Sequence, residues 1–507
     1  MAINSIFSWI VKKRLHQIDL FRKYPIDVQN EMLRKMCYNA SYTEFGTQHR
    51  FVEVESLKDF QERVPLQSYE ELKPWVDRLM AGEKALLWPT ESKWYAKSSG
   101  TASTKSKLIP MTRESLTDCH QKGGKDLLAL YYLNRPDAKL YSYKHVVVGG
   151  SAQTIANNFD SYTGDLSAII MKNLPWWAEI RRTPSKETAL MDQWEEKIEK
   201  LARETMQENV GMLTGVPSWT MVMGKKILEI SGASDLKEIW PNLECFWHGG
   251  VSFEPYREEF KKMISGKMNY VESYNASEGF FGIQDDLGKD DLLLMLDYGI
   301  FYEFIPMDCY EGVDSKKVIG LEDIELGKNY ALVISTNGGL WRYIIGDTVK
   351  FTSKAPFRFK ITGRTKSYIN TFGEELIVEN ADQAVTWACS ELGAQIRDYT
   401  ACPIYMENNS KGGHEWLFEF VRPPADMNVF MNLIDQKLQE INGDYEAKRQ
   451  KGMAMGFPKY SVLATGGFDQ WLKSQGKLGG QNKIPRLCND RYIVEQILQQ
   501  QTQKQFV

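Results

Sequence analysis

Several features that the sequence lacks narrow the functions it can have. Its seven cysteines never form a Cys-x-x-Cys pair, and its six histidines never stand in a His-x-His or His-x-x-x-His arrangement. The cysteine usage predicts reduced thiols and a cytoplasmic compartment, and the histidine spacing offers no transition-metal site. No apolar run approaches the roughly 18 residues that a membrane span requires. With a net charge of only −4, we expect neither a nucleic-acid partner nor a membrane partner.

One short stretch stands out from an otherwise ordinary globular composition. Residues Ser98 to Lys107 read SSGTASTKSK, which is dense in hydroxyls and contains one glycine and two lysines. Hydroxyls and main-chain N–H groups can converge on phosphoryl oxygens, and the glycine lets the backbone approach a ligand. The glycine-lysine-serine ending of a Walker loop is absent. The stretch is therefore either an anion-binding loop or a surface linker.

The flanks of this stretch favour the loop. Residues 93–97 predict a strand that leads in, and residues 107–111 predict a strand that leads out. Thr112 is placed to cap a following helix, which we expect over residues 113–132.

A second stretch places an acidic residue in a turn. Residues 270–286 predict a strand that breaks at Asn275 and exposes Ser277 and Glu278 among small residues. A carboxylate there can hold Mg²⁺ together with substrate phosphates, because magnesium takes only one or two protein carboxylates and keeps several of its waters. The alternative is an ordinary glutamate at the end of a strand.

A double-glycine turn follows another predicted strand, residues 245–250. Its His248 has either a structural or a functional role. The structural one is favoured because no nucleophile or carboxylate stands beside it.

Two later motifs also carry charged side chains. Gly346-Asp347 closes a predicted strand, where an acid can accept both ribose hydroxyls of a nucleotide. Residues 476–486 form a glycine-rich loop that contains Lys483, whose ammonium could be brought onto a reacting carboxylate.

The pattern changes after Thr365. Helices are predicted over residues 378–392 and 427–441, with a strand at 416–421 between them. This separate pattern of helices and strands is typical of an α+β domain. It predicts a domain boundary that divides the chain into residues 1–365 and 366–507.

The order of these motifs resembles one family. It comprises Ser-Ser-Gly-Thr at 98–101, Tyr-Asn-Ala-Ser-Glu at 274–278, Trp-Arg-Tyr-Ile-Ile-Gly-Asp at 341–347, Gly-Arg at 363–364 and Lys-Ile-Pro-Arg at 483–486. The series resembles the auxin-responsive acyl-acid-amido synthetases of Gretchen Hagen type, within the adenylate-forming superfamily of acyl-CoA ligases and luciferases. The similarity runs along nearly the whole chain. It implies an α/β fold with a large N-terminal adenylate-forming domain of mixed sheets and helices, and a small mobile α+β C-terminal domain.

The resemblance also implies a reaction and its site residues. Members activate a carboxylic acid with ATP and Mg²⁺ to an acyl-adenylate, and then pass the acyl group to the amine of an amino acid. By position, Ser98, Ser99 and Thr101 would hold the phosphates. The nucleotide would also contact Gly250, Val251, Tyr274, Asn275, Ala276 and Ser277. Glu278 would hold the metal, Asp347 the ribose and Arg364 the nucleotide at the hinge, while Lys483 would bridge the acyl carboxylate and the α-phosphate.

The sequence departs from the family pattern at a few positions. Ala102 and Thr104 stand where Ser and Gly are frequent, and Asn275 stands where Gly or Ala is commoner. Asparagine tolerates a left-handed backbone, so we expect no loss of activity from these changes. No residue pattern identifies the carboxylic acid.

Two rival functions stay open. A coenzyme A ligase would share the adenylation step and use a thiol acceptor, and a catalytically silent protein would only bind the nucleotide. The silent protein is disfavoured because Glu278, Asp347 and Lys483 are all present.

Overall fold

The computed structural model describes most of the chain. The described residues are 13–98, 107–148, 155–156, 160–191, 193–250, 253, 256–310, 317–365, 369, 374, 376–404, 412–442, 445–446, 449, 455–476, 483–488 and 490–504. They form two compact units. The N-terminal unit extends to residue 345 and includes residues 349–360, and the C-terminal unit comprises residues 346–348 and the chain from 361 onward. The division into an adenylation domain and a mobile domain at residue 365 stays a prediction.

Helices occur throughout both units. In the N-terminal unit the α-helices are Leu15–Lys23, Pro25–Ala40, Glu44–Gln48, Leu57–Arg63, Tyr69–Met80, Lys122–Asn134, Leu166–Lys172, Trp176–Glu179, Lys186–Ala189, Trp194–Met206, Pro217–Ser231, Leu236–Ile239 and Arg257–Met263. A π-helical segment, Ser115–Gln121, precedes one of them. Short 3₁₀ turns are Phe51–Glu53, Leu140–Ser142, Met307–Cys309 and Leu321–Asp323. The C-terminal unit has Val378–Leu392, Met427–Ile441, Gly467–Ser474 and Tyr492–Lys504.

The strands are numbered in chain order. They are β1 Trp94–Ser98, β2 Lys107–Met111, β3 Lys144–Val148, β4 Ile155–Ala156, β5 Tyr162–Asp165, β6 Arg182–Thr183, β7 Val210–Gly215, β8 Cys245–Gly249, β9 Asn269–Ala276, β10 Gly279–Ile283, β11 Leu292–Leu294, β12 Ile300–Pro306, β13 Asn329–Thr336, β14 Tyr343–Lys354, β15 Phe357–Arg364, β16 Gln395–Ile404, β17 Gly413–Arg422 and β18 Lys459–Leu463.

A large mixed sheet organises the N-terminal unit. Its strand order among the described residues is β12-β13-β14-β15-β11-β10-β9-β8-β7-β3-β6. The successive pairs from β6 through β3, β7 and β8 to β9 are parallel. The successive pairs from β9 through β10 and β11 to β15 are antiparallel. Parallel strands place their carboxyl ends at one edge of a sheet, which is where ligands bind in α/β folds. The carboxyl ends of β8 and β9 therefore lie at such an edge.

Hydrophobic packing explains why β7 and β8 are continuous apolar runs. Met212 and Cys245 belong to one hydrophobic core, and their chain neighbours Leu213 and Phe246 belong to another. Strands that are buried on both faces cannot alternate apolar and polar residues as a half-exposed strand does. The two cores therefore lie on opposite faces of the sheet.

A smaller sheet of order β2-β1-β5-β4 carries the hydroxyl-rich stretch. Strands β1 and β2 pair antiparallel, and Ser98 lies opposite Lys107. The predicted strands on both sides of the stretch are confirmed. The Ser115 main-chain N–H donates to the Thr112 hydroxyl at 3.1 Å, which confirms Thr112 as a cap. The helix expected over residues 113–132 is present as the π-helical segment followed by Lys122–Asn134.

The C-terminal unit is a three-stranded sheet, β16-β17-β18, covered on both faces. Successive residues of β17 alternate between the two faces, as a strand requires. Trp416 and Phe418 pack with the helices Val378–Leu392 and Met427–Ile441, and Leu417 packs in a separate core with Trp471. The predicted helices at 378–392 and 427–441 are confirmed.

All seven cysteines carry free thiols. Cys37, Cys119, Cys245, Cys402 and Cys488 are buried, and the other two are half-buried. Burial raises the pKa of the Cys37 thiol to about 12, so this thiol stays protonated at neutral pH. No helix in the part of the chain that the structure describes is long and apolar enough to cross a membrane.

Candidate active site

The hydroxyl-rich stretch connects the paired ends of β1 and β2. Ser98 is the last residue of β1, and Lys107 faces it at the start of β2. The Lys107 Nζ donates to the Tyr343 hydroxyl at 3.3 Å and lies over the Tyr69 ring at 5.6 Å. Ser99 and Thr101 lie outside the described residues, so their role in phosphate binding stays a prediction.

The acidic turn differs from the sequence prediction in two ways. Strand β9 does not break at Asn275 but continues through Ala276, and Gly279 of β10 pairs with Ala276 across a hairpin. Ser277 and Glu278, expected to be exposed, are only 7% and 8% exposed. The prediction was wrong because the small residues permit a tight hairpin, which packs against segments distant in sequence.

One hydrogen bond joins the acidic turn to the strand that enters the hydroxyl-rich loop. The Ser277 hydroxyl donates to the main-chain oxygen of Lys97 at 3.3 Å. Lys97 is the penultimate residue of β1 and directly precedes Ser98. The structure therefore brings together two motifs that are about 180 residues apart in the chain.

The double-glycine turn lies next to the same hairpin. Gly249 of β8 pairs in parallel with Ser273 of β9, and a Cβ at Gly249 would meet the Ser273 main-chain oxygen at 2.4 Å. Gly250 follows with φ = 80°, a left-handed conformation that glycine adopts without strain. Gly250 and Tyr274 thus directly follow paired residues at the carboxyl ends of β8 and β9.

Two nearby side chains, Tyr274 and His248, pack against aromatic rings. The Tyr274 ring packs on the Phe281 ring, with 4.7 Å between centroids. The buried His248 ring stacks on Phe253 at 4.3 Å, and burial lowers the pKa of His248 to about 3. His248 is therefore neutral at pH 7 and is part of the aromatic core, as the favoured interpretation expected. Val251 lies outside the described residues.

Sequence reasoning missed two residues that form hydrogen bonds to the strands on either side of the acidic turn. The His120 Nδ1 donates to the Asn275 Oδ1 at 2.9 Å, since a carboxamide oxygen can only accept. The Phe280 main-chain N–H donates to the Cys119 Sγ at 3.1 Å. Burial lowers the pKa of His120 to about 4, so the imidazole is neutral at pH 7. No local sequence signal links residues separated by 155 positions.

In the C-terminal unit, Asp347 lies inside β14, which continues to Lys354, so the prediction that Gly346-Asp347 closes a strand was wrong. Gly346, with φ = 91°, accepts a hydrogen bond at its oxygen from the Thr365 N–H at 2.8 Å. This bond brings Gly346-Asp347 next to the motif Gly363-Arg364. Asp347 is 7% exposed. The Arg364 side chain lies outside the described part of the chain, so its contact with a nucleotide stays a prediction.

The segment that follows Lys483 is fixed on β16. The Thr400 hydroxyl donates to the Pro485 oxygen at 2.6 Å, and the Ala401 N–H donates to the Arg486 oxygen at 2.9 Å. The Arg486 guanidinium lies over the Tyr399 ring at 4.5 Å and pairs with Asp398. The main chain that carries Lys483 is thereby held by ordered contacts only two residues away.

The described residues also fit a magnesium ion that is shared with a substrate. Among them, no group of three or more His, Cys, Asp or Glu side chains could form a metal cage of its own. Mg²⁺ is usually bound by one or two carboxylates plus substrate phosphates rather than by an all-protein cage. A single carboxylate, Glu278, in the turn that is bonded to the end of β1 matches that preference.

Comparison with known proteins identifies the fold and the family. The structure superposes on the GH3.15 acyl acid amido synthetase with a TM-score of 0.77 at 18% sequence identity, covering 96% of both chains. It also superposes on a 2-hydroxyisobutyryl-CoA ligase in complex with an adenylate, with a TM-score of 0.59 at 13% identity, covering 94% of this chain and 91% of that chain. The fold is therefore that of the adenylate-forming enzymes. The chain belongs to the GH3 family, whose N-terminal, central and C-terminal domains match residues 14–268, 293–364 and 379–492.

Two curated relatives from Arabidopsis thaliana illustrate the activities of the family. The chain is 24% identical to the 4-substituted benzoates-glutamate ligase GH3.12, covering 90% of this chain and 92% of the relative. It is 22% identical to the indole-3-acetic acid-amido synthetase GH3.3, covering 92% of this chain and 90% of the relative. Both relatives are named for joining a carboxylic acid to an amino acid or for forming an amide. This similarity confirms the resemblance that the ordered motifs indicated.

Proposed function

We propose that the protein activates a carboxylic acid with ATP and transfers the acyl group to the amine of an amino acid. The observation that carries the proposal is the hydrogen bond between the Ser277 hydroxyl and the Lys97 oxygen. It holds the turn that contains Glu278 beside the end of β1, whose last residue is Ser98, and this proximity supports a shared site for a metal-binding carboxylate and phosphate-binding hydroxyls. Family membership supports the amine acceptor, because the relatives are named amido synthetases.

The roles of the site residues are part of this proposal. Ser98, Ser99 and Thr101 bind the phosphates, and Glu278 is the residue that would hold Mg²⁺. When bound, Mg²⁺ neutralises negative charge on the phosphates. The nucleotide is further bound by Gly250, Val251, Tyr274, Asn275, Ala276, Ser277, Asp347 and Arg364.

The first half-reaction brings anions together. A carboxylate oxygen bonds to the α-phosphorus of ATP, and the bond between that phosphorus and the leaving pyrophosphate breaks. Positive charge that is placed in advance lowers such a barrier without reorganisation. The Lys483 ammonium supplies this charge between the acyl carboxylate and the α-phosphate, and the segment Pro485–Arg486 that follows it is held on β16.

The second half-reaction forms the amide. The amine nitrogen of the amino acid bonds to the acyl carbon, AMP leaves with the electron pair of the broken carbon–oxygen bond, and the nitrogen loses a proton.

The thiols of this chain are free, and we propose a cytoplasmic location on the basis of the cysteine usage.

The proposal is tested by identifying the product. A panel of carboxylic acids is first screened for acid-dependent ATP–pyrophosphate exchange. The best acid is then incubated with ATP, Mg²⁺ and either pooled amino acids or coenzyme A, and the products are analysed by mass spectrometry. We expect an N-acyl amino acid and an equal amount of AMP. A thioester as sole product would overturn the amide step, and no exchange with any acid would favour the silent nucleotide-binding protein.

A variant pair tests the assignment of the metal-binding carboxylate. Glu278→Gln should abolish most exchange, because a neutral carboxamide binds Mg²⁺ poorly. Glu272→Gln alters a carboxylate on β9, the strand that leads into the turn, and serves as the matched control. Equal activity in the two variants would remove Glu278 from the proposed site.

A further inference from the structure

The π-helical segment Ser115–Gln121 contacts both sides of the acidic turn through two adjacent side chains. His120 donates to the Asn275 carboxamide before the turn, at 2.9 Å. Cys119 accepts from the Phe280 N–H after the turn, at 3.1 Å. The residues between these two contacts include Ser277 and Glu278. One short segment therefore determines where both ends of the turn lie.

The segment has little freedom to move relative to the turn. A Cβ at Gly123, just past the segment, would meet the Phe280 ring at 2.5 Å, so the backbone there packs directly on that ring. The Gln121 amide donates to the Asn173 oxygen at 2.6 Å. At the other end, the Thr112 hydroxyl donates to the Asn337 oxygen at 2.7 Å. π-helical turns are rare and occur frequently at functional sites.

The bond between His120 and Asn275 is sheltered from water. His120 is 4% exposed, and loss of either partner of a buried hydrogen bond leaves the other without its bond and costs more than the bond contributes. The imidazole is neutral, because burial lowers its pKa to about 4. Protonation therefore does not disturb the bond between His120 and Asn275 within the physiological pH range.

This pair depends on both side chains. Glycine or alanine at position 275 would have no side-chain group that His120 could hold. An added polar side chain in the turn would adopt several rotamers unless a partner selects one. His120 supplies that partner from a different element of the fold.

We propose that His120 is a positioning residue that fixes the Asn275 carboxamide and with it the nucleotide-binding turn of residues 274–278. The inference rests on the proposed function, because it assigns a purpose to the turn. His120 acts through Asn275 and touches neither substrate nor metal. Its effect is to order the turn before ATP arrives, so that binding does not have to order it.

A double-mutant cycle with a direct binding measurement tests this inference. The variants are His120→Leu, Asn275→Ala, the double variant and His120→Asn, which keeps a side-chain N–H donor. The dissociation constant for ATP in the presence of Mg²⁺ is measured by isothermal titration calorimetry. We expect His120→Leu and Asn275→Ala each to weaken ATP binding roughly tenfold, the double variant to bind no worse than either, and His120→Asn to bind nearly as the wild type.

A matched control separates positioning from general stability. His145 is a second desolvated histidine of the same unit, bonded to the Leu140 oxygen at 3.0 Å. His145→Leu should lower the melting temperature and leave the affinity for ATP unchanged. If His120→Leu does not fold, His120→Phe replaces it in the cycle, because a phenyl ring keeps the packing volume and has no donor for the Asn275 carboxamide.

The outcomes are distinguishable from a failure of the proposed function. Wild-type affinity in His120→Leu, or losses that add in the double variant, would overturn the positioning role. If the wild-type protein itself does not bind ATP, the proposed function is overturned, and the inference falls with it.

Discussion

The two candidate carboxylates, Glu278 and Asp347, are both buried. They are 8% and 7% exposed, and removing a carboxylate from water is costly unless partners or a ligand compensate. The hydrophobic cores on both sides of the sheet need no such groups. The burial of these two acids is compatible with the binding roles proposed for them.

Replacing Asp347 should affect nucleotide binding more than chemistry. Its carboxylate would contact only the ribose, so it stabilises ground state and transition state equally. We expect Asp347→Ala to raise KM for ATP roughly tenfold with little change in kcat. Asp290→Ala, at a side chain 83% exposed, is the control. An unchanged KM with a collapsed kcat in steady-state kinetics would show that the ribose role is wrong.

Replacing Lys483 should have the opposite effect. Its charge is needed only as the adenylate forms, and loss of one preorganised group of this kind costs roughly 10²–10³ in rate. Lys483→Ala should therefore suppress ATP–pyrophosphate exchange by about that factor while ATP still binds. Lys473→Ala, at an exposed lysine of a neighbouring helix, should retain exchange. Wild-type exchange without Lys483 would exclude this lysine from the mechanism.

At the scale of elements, a buried ion pair anchors the strand that leads to Asp347. The Arg342 guanidinium pairs with Glu303 at 3.0 Å, and both side chains are at most 1% exposed. It also donates to the Val64 oxygen at 2.6 Å, and Gln61 donates to Glu303 at 2.9 Å. The start of β14 is thus fixed to β12 and to the segment after Leu57–Arg63.

Breaking this ion pair should destabilise the N-terminal unit. Removing one partner of a buried pair leaves an uncompensated charge and costs about 3–5 kcal/mol. We expect that loss in the free energy of unfolding for Arg342→Met, measured by urea denaturation. Arg342→Met with Glu303→Leu should recover part of it, because no unpaired charge then stays buried. A loss below about 1 kcal/mol for the single variant would contradict the anchoring role.

Local patterns predicted some elements of this fold well and others poorly. The helix Met427–Ile441 has an apolar stripe and an Asp426 cap that accepts from the Asn428 N–H at 2.7 Å, and both signals are visible in the sequence. The π-helical segment has no such signal, since its geometry depends on what packs against it. The hairpin at Ser277 was expected to be exposed. This expectation failed because the burial of the hairpin depends on residues that are far away in the chain.

The parts of the candidate site that lie in recognisable motifs were predictable from the sequence. The hydroxyl-rich loop, the acidic turn and Asp347 were found from composition and position, and their order indicated the family. His120 and Cys119 were not found, because they lie within the predicted helix over residues 113–132, where a buried histidine and cysteine are ordinary. Only the fold shows that these side chains reach the acidic turn.

At the scale of the whole molecule, buried titratable groups make stability depend on pH. Burial lowers the pKa of His120 to about 4 and that of His248 to about 3, below the ordinary value of about 6.5. The unfolded chain therefore binds more protons than the folded chain between these values. Asp126 acts in the opposite sense, because burial raises its pKa to about 6. We expect stability to fall as the pH drops below about 6.5.

A variant isolates the contribution of one histidine. His248→Phe removes a group that would be protonated on unfolding, so its stability should fall less on acidification. Between pH 7.5 and 5.0, the wild type should lose about 2 kcal/mol more than the variant. Urea denaturation at the two pH values measures the difference. Equal losses in both proteins would show that His248 is not held neutral by the fold.

The burial of the cysteine thiols makes the chain suitable for fluorescence labelling. A thiol such as Cys37, whose pKa burial raises to about 12, reacts slowly with a maleimide because the thiolate is the nucleophile. Cys309 and Cys389 are half-buried and could be replaced by serine. One added cysteine in each unit would then accept a donor and an acceptor dye. Energy transfer between the dyes would report changes in their separation when ATP and the acid are added.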